Sequence, residues 1–432
     1  MNTFDYSSLL PVLPGQSLDW LQQFRAEAMG QYVAVGLPSN RDEDWRYTAI
    51  AAIEKKGFIP ILSVIDSIDA DRLAPYRLSN AWSVVLVDGH FSADLSVLEG
   101  LPAEAQVMSM ATALQSHAEL LAAYLGQAVN SFEHGFIAFN NACFSDGVFI
   151  NIPAHLVLSQ PLQCIHVSTT EASFSATRNV VMLGEHASLQ FVETFVGFDA
   201  SYLSVDVSEV FLAENAQLTS YKVQIESEKA YHFGGTYIKQ ADNARFSHHN
   251  FALGGLLARS DVHTDLQQAA ECELNGLSLG NRRQHIDNHT RINHSKPYGM
   301  SRQVYKGVFD DRARGVFQGR VVVAENAQKT DSAMNNRNLL LSADAEADSK
   351  PQLEIYADDV KCSHGVTVGQ LNEQSVFYLQ SRGIDAESAR NMLTFAFANE
   401  MLDKIQLKNL RDLVLAQLLQ RFPQQGVDSG WL

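Results

Sequence analysis

The sequence predicts a mainly β protein in which a β-helix core lies between a mixed helical and strand region and a helical C-terminal region. Three observations predict it. Short apolar–polar alternations recur from about Gly126 to Gly365 with no sustained helical period between them. Asn, Asp, Ser and Gly punctuate these segments, as in "LAENAQL", "QADNARF" and "VAENAQK". Both flanks instead place apolar residues three or four positions apart. The 432 residues are also too many for one ordinary core unless the fold is elongated or repetitive. The expected division is 1–125, 126–367 and 368–432.

In the first region, "SLDWLQQFRAEAMGQY" has Leu18, Leu21, Phe24 and Ala28 on one helical face, with Ser17 as the expected N-cap. "FIPILSVIDS" reads as a short strand, and "ATALQSHAELLAAYL" as helix again. In the middle region, Leu203, Val205 and Val207 alternate with Ser204, Asp206 and Ser208, and Tyr221, Val223 and Ile225 with Lys222, Gln224 and Glu226. Phe317, Val321 and Val323 repeat the theme against Gln318, Arg320 and Val322. So much strand cannot make one flat open sheet. A sandwich, a barrel and a β-helix remain, and the short intervals with similar turn chemistry favour the β-helix. In the last region, "NEQSVFYLQSRG" ends at Gly383, a C′ glycine. The next helix starts at Asp385 and is expected to bury Leu393, Ala396, Phe397 and Met401; the last carries Leu407, Leu410, Val414 and Leu418 and stops at Pro423. Such helices can pack on one another or cap an exposed sheet end.

Composition excludes several roles. A formal net charge of −17 disfavours nucleic acid, whose phosphates need clustered Lys and Arg, and equally an anionic membrane surface. "MNTFDYSSLLPVLPGQ" has neither the basic start nor the apolar stretch of a secretory signal, and no apolar run approaches the roughly 18 residues of a membrane span. Cys143, Cys164, Cys272 and Cys362 are scattered without CxxC spacing, as reduced thiols would be. A cytoplasmic protein is expected, with no nucleic-acid or membrane partner.

Several common motifs are missing. There is no GxxxxGK[ST] loop and no GxGxxG after a strand, hence no nucleotide-binding motif, and neither GxSxG nor HExxH occurs. In "QHIDNHTRINH", strand geometry puts His285 and His289 on one face and His294 on the other, which suits polar surface or interface residues better than a metal site. Asp310, Asp311, Arg312 and Arg314 in "FDDRARG" suit a solvated turn better than a pair of catalytic carboxylates. His248 and His249, being adjacent, point to opposite faces. In "KCSHG", by contrast, Cys362 and His364 stand at i and i+2, on one strand face and about 7 Å apart at Cα. A thiolate and an imidazole so placed can reach one metal ion or one cluster, but two ligands do not close a site. The alternative is a small buried thiol beside a satisfied histidine.

"KPQLEIYADDVKCSHGVTVGQLNEQSVFYLQSRGI" resembles the C-terminal signature of the SufB/SufD family, scaffold subunits of the SUF iron–sulfur cluster assembly machinery. "SRQVYKGVFDDRARGVFQGRVVVAENAQKTDSAMNNRNLLLS" resembles the family's β-helix segment, and "GLPSNRDEDWRYT" its N-terminal motif. The "DVKCSHG" form is most similar to SufD. The resemblance implies a right-handed parallel β-helix, a C-terminal helical region that docks a SufC-type ATPase, and pairing with a SufB-type scaffold through the β-helix. It further implies a scaffold rather than an enzyme. Cys362 and His364 would be half of a metal site for a nascent iron–sulfur cluster, with the remaining ligands supplied by the partner subunit. In isolation the chain could form a homodimer. Three rival readings stand beside this one. They are a cytosolic β-helix carbohydrate-active enzyme built on Asp310 and Asp311, a Cys–His nucleophilic enzyme, and a purely structural subunit with an inert Cys362.

Overall fold

Two parallel sheets coil around a common lumen. The computed structural model describes residues 7–62, 68–129 and 134–422. Successive strands alternate between the sheets. Ser173–Leu183, Tyr202–Leu212, Tyr231–Gln240, Leu257–Leu266, His285–His294, Arg314–Val323 and Glu346–Ile355 follow one another in the first sheet. Leu162–Ser168, Ser188–Gly197, Gln217–Ile225, Arg245–Ala252, Glu271–Gly280, Met300–Phe309, Asp331–Leu340 and Lys361–Gly369 do so in the second. Every pairing along both runs is parallel. Register partners such as Ser173 and Tyr202, or Arg314 and Glu346, stand 29 and 32 residues apart, which is one turn of the coil. Corners need a left-handed residue, and Asn215 and Asn243 supply it at φ 58° in two of the punctuating segments. In the third, "VAENAQK", the left-handed residue is Lys329.

The alternation has an unexpected sense. Of Tyr202–Leu212, Val210 and Leu212 join the apolar core of the lumen, so Ser204, Asp206 and Ser208 face inward with them. Leu203 and Val205 face outward and are buried all the same, packed with Trp45, Phe136, Phe139 and Tyr32. Tyr221 and Val223 also face outward, under the C-terminal helices, which leaves Lys222 and Gln224 in the lumen. Only the third alternation runs the ordinary way, with Phe317, Val321 and Val323 inward. Part of the lumen is therefore a hydrogen-bonded polar ladder. Thr177 Oγ1 donates to Asp206 at 2.6 Å and Asn179 Nδ2 at 3.1 Å. Burial and the neighbouring Asp206 push Glu193 up to about 8, and burial takes His166 down to about 4.

Outer coverings follow from the outward apolar faces. The helix Asp19–Val35 buries Leu21 and Ala28 but begins from a turn in which Leu18 N donates to Gly15 O. Leu18, not Ser17, is the N-cap, with no side-chain cap. Of the strand expected in "FIPILSVIDS", Ile59–Pro60 pairs with Ser173–Phe174, while 63–67 lie outside the described residues. The helical segment near 111–125 forms as two helices, Met110–Ser116 and Ala118–Tyr124. A helix, Gly135–Cys143, interrupts the stretch read as continuous strand; all nine of its residues are buried, so its apolar run carries no single-face period.

The C-terminal helices are Glu373–Ser381, Ala386–Asn399 and Lys408–Arg421. Asp385 caps the second by accepting from Ser388 N at 2.9 Å, and Gly383 takes φ 89° after the first. They cover the outer face of the second sheet instead of capping its end. Leu410, Val414 and Leu418 are fully buried, as their spacing predicts. On the second helix the buried residues are Ala389, Thr394, Phe395 and Ala398, followed by Met401 and Leu402; Ala396 is exposed and Leu393 and Phe397 half-buried. That helix is apolar on more than one side, so spacing alone does not set its rotation. Pro423 lies outside the described residues.

The segment "GLPSNRDEDWRYT" is fastened to the first sheet by a buried charge network. Arg259 stacks 3.8 Å over the Trp45 ring, donates to Asp44 O at 2.7 Å, and pairs with Asp261 at 3.0 Å and Asp287 at 3.1 Å. Thr48 Oγ1 donates to Asp287 at 2.6 Å, and His134 Nε2 is 3.1 Å from Asp261. Burial alone would raise both carboxyls. His289 and Arg259 outweigh it at Asp287, which falls to about 2, and Arg259 does so at Asp261, which falls well below the usual range.

Two outcomes are expected. Leu410→Ala should lower unfolding stability by about 2–5 kcal/mol in urea titrations, because a fully buried leucine leaves a cavity, while Ala396→Ser should change it by less than about 0.5 kcal/mol. Asp287→Asn should cost about 3–5 kcal/mol near neutral pH, since it takes from the buried Arg259 one of its two carboxylates and from His289 the carboxylate beside it. A depressed carboxyl stabilises above its unfolded value of about 3.9, and that stability is lost as pH falls through the folded value. The gap between wild type and variant should therefore close between about pH 4 and the folded value of about 2. A gap that stayed constant over that window would refute the linkage.

Candidate functional site

Lys361–Gly369 is the last strand of the second sheet and pairs on one side only, with Asp331–Leu340. Its register sets Cys362 opposite Ser332 and His364 opposite Met334. Met334 belongs to the lumen core and Ser332 is two residues before it, so Cys362 and His364 project from the lumen face. Here, among the described residues, no further turn covers them. Cys362 is half-buried against the end of the core and its thiol is raised, chiefly by burial, while His364 is exposed. The facing last strand of the first sheet, Glu346–Ile355, is likewise paired on one side only. The coil thus ends in two open backbone edges, with exposed Ile355, Tyr356, Val366 and Val368 around them and the thiol–imidazole pair at the mouth.

A thiol raised by burial stays protonated at neutral pH, which makes it a poor spontaneous nucleophile and a ligand only when a metal displaces its proton. A nucleophilic Cys–His enzyme is disfavoured on that ground. The geometry offers two donors on one face and space opposite them.

The other sequence candidates resolve into structural roles. His285 and His289 share the outer face, where His285 Nε2 meets Thr48 Oγ1 at 2.9 Å and His289 Nε2 is 3.0 Å from Asp287. His294 faces the lumen and meets Ser301 Oγ at 2.9 Å. His248 is in the lumen near Ser220, and His249 stacks on Tyr221 outside it. Asp310 and Asp311 form an exposed corner, where Asp311 accepts from Arg282 N, while Arg314 pairs with Asp348 at 2.7 Å. Sequence reasoning missed a different group, His166, Glu193 and Asp206, which converge inside the lumen. His166 and Glu193 are polar residues on apolar inward faces and Asp206 lies in an inward polar run with Ser204 and Ser208, and their meeting is readable only once the length of a turn is known.

No helix among the described residues is long and apolar enough to cross a membrane. Comparison with known proteins gives a consistent picture. A family model described as "SUF system FeS cluster assembly, SufBD core domain" matches residues 166–397, and one described as "SufBD protein N-terminal region" matches residues 6–164. The iron–sulfur cluster assembly protein SufD of Escherichia coli is 32% identical over 91% of this chain and 91% of its own. A SufBD family protein of Synechocystis is 32% identical over 90% and 88%. Protein ABCI7, chloroplastic, of Arabidopsis thaliana is 29% identical over 93% and 86%.

Proposed function

The chain belongs to the SufBD family of SUF-system iron–sulfur cluster assembly proteins, and from that premise we propose that it is the SufD-like subunit of a scaffold that builds and delivers such clusters. Its partners in this reading are a SufB-type scaffold and a SufC-type ATPase, and its role is architectural and ligating, not enzymatic. One observation carries the proposal. The coil stops at two unpaired parallel edges ringed by apolar side chains, with Cys362 and His364 aimed into the gap. A second β-helix presenting its own open edges can continue both sheets by strand addition. It would bury the exposed valines and tyrosine and bring further ligands opposite the pair. Where that partner is absent, a second copy of this chain could use the same edges.

The cluster is cargo here. His364 offers an exposed imidazole, and Cys362 a thiol that must lose a proton to bind. His364→Ala should therefore reduce cluster content at least as much as Cys362→Ser, with folding and partner binding nearly intact. The measurement is iron and sulfide per complex after co-expression with the SufB-type and SufC-type chains and reconstitution. Full loading in the Cys362→Ser, His364→Ala double variant would leave the purely architectural reading standing.

For the ATPase, the helical region 368–432 is the proposed docking element. Its apolar stripes are already spent on the second sheet, so the free surface lies on Glu373–Ser381, where Phe377 and Tyr378 are 71% and 57% exposed. Phe377→Asp with Tyr378→Asp should abolish ATPase co-purification while the circular dichroism spectrum and SufB-type pairing persist. Retention of the ATPase by that variant would send the search to another surface.

A further inference from the structure

At the opposite end of the coil from Cys362, three side chains of metal-ligating type meet in the sealed lumen. His166 comes from Leu162–Ser168, Glu193 from Ser188–Gly197 and Asp206 from Tyr202–Leu212, and their ligand atoms all lie within 4.8 Å of one another. All three residues are buried. Cys164 Sγ is 3.3 Å from His166 Nε2, and Cys164 is the register partner of Glu193. Donors bonded to a tetrahedral ion at about 2.0–2.3 Å stand roughly 3.3–3.8 Å apart, so closure among the three asks for shifts of about 1 Å, and Cys164, which stands outside the group of three, has to swing further to join it.

The surroundings hold the donors in place. Asp206 accepts from Thr177 and Asn179; Glu193 accepts from Asn179 at 3.3 Å and Ser208 at 3.4 Å. The His166 ring stacks on Phe195 with centroids 4.2 Å apart. Outer hydrogen bonds of this kind fix ligand orientation in metal sites. The surrounding charge is compatible with a bound cation. Three carboxylates, Glu193, Asp206 and Glu226, share this stretch of lumen with one fixed cation among its described residues, Lys222, which lies 4.8 Å over the Phe195 ring. Of the neighbouring imidazoles, His232 is 2.9 Å from Glu226 and His166 is itself a donor of the group. Carboxylates that outnumber cations in a dry interior are costly unless a proton or a further positive charge neutralises them.

We propose that His166, Glu193 and Asp206 bind one divalent first-row transition ion of the Fe2+ or Zn2+ class, with Cys164 as a fourth donor. Imidazole and thiol beside carboxylates select such ions over Mg2+ and Ca2+. Because the lumen is closed, the ion is taken up as the chain folds and resists chelators afterwards. The site is independent of the cluster ligands proposed at the open end.

Cobalt is the probe. The full chain, expressed in cobalt-supplemented minimal medium and dialysed against EDTA, should retain one Co2+ per chain with the intense visible bands of a tetrahedral site. Glu193→Gln and Asp206→Asn, which keep side-chain volume, should each lose it. Cys164→Ser should keep the ion but lose the sulfur-to-cobalt charge-transfer band, whereas Cys362→Ser with His364→Ala should keep both. Wild-type protein that retains no cobalt overturns the proposal, whatever the variants do. So does retention unchanged in Glu193→Gln, which remains decisive should Asp206→Asn fail to fold, or loss confined to the open-end double variant.

Discussion

Parallel pairing between successive turns is the constraint on which everything else here depends. A strand in this coil is satisfied by the turn before it and the turn after it, so its backbone demands are met everywhere except at the two ends. The N-terminal end is closed by antiparallel additions, Gln106–Ser109 on one sheet and His90–Phe91 on the other. Among the described residues no such addition closes the other end, where Glu346–Ile355 and Lys361–Gly369 stay open. An edge of that length with apolar neighbours would be an aggregation hazard in a solitary protein. It is an asset in one built to be continued by a partner.

The same constraint explains the polar lumen. Each inward position is stacked in register with the equivalent residue one turn away, so a polar residue inside can find its partner on the neighbouring turn. Thr177 donates to its register partner Asp206 at 2.6 Å and Ser301 to its register partner Ser332 at 2.8 Å, which satisfies groups that would be costly alone. Apolar burial is then moved partly outside, where the N-terminal helices and Trp45 cover the first sheet and the C-terminal helices cover the second. Lys306 Nζ reaches Phe397 O at 2.8 Å and Arg421 Nη2 reaches Leu253 O at 2.6 Å, so these coverings are also hydrogen-bonded to the coil.

Much of this was legible in the sequence, and the failures have physical causes. Strand alternation and Asn corners announced the coil because both are local. The partition of His285 and His289 from His294, and of His248 from His249, followed from period two alone. Which face looked inward did not follow, because period two is blind to it: Asp206 and Lys222 line the lumen while Leu203 and Tyr221 face outward. The trio His166, Glu193 and Asp206 was invisible for a related reason, since it needs the register between strands and that depends on turns of unequal length. Arg259 with Asp287 and Trp45 joins residues more than two hundred positions apart, which no local pattern records.

Position along the coil, more than residue type, decides what a side chain can do. Cys272 and Cys362 stand in one register column of the second sheet, linked through Ser301 and Ser332. Both face the lumen, yet Cys272 is fully enclosed, with its thiol pushed far up by burial, while Cys362 is half-buried at the rim with a smaller rise of the same cause. His294, in the lumen of the first sheet, is enclosed and bonded to Ser301, whereas His364 at the last turn is exposed. Moving the pair Cys-x-His one turn inward would cover it with backbone on both sides and leave no room for ligands from elsewhere. Cys164 and His166 also share a face but are enclosed, whereas Cys362 and His364 at the final turn have a protein core behind them and no strand among the described residues in front.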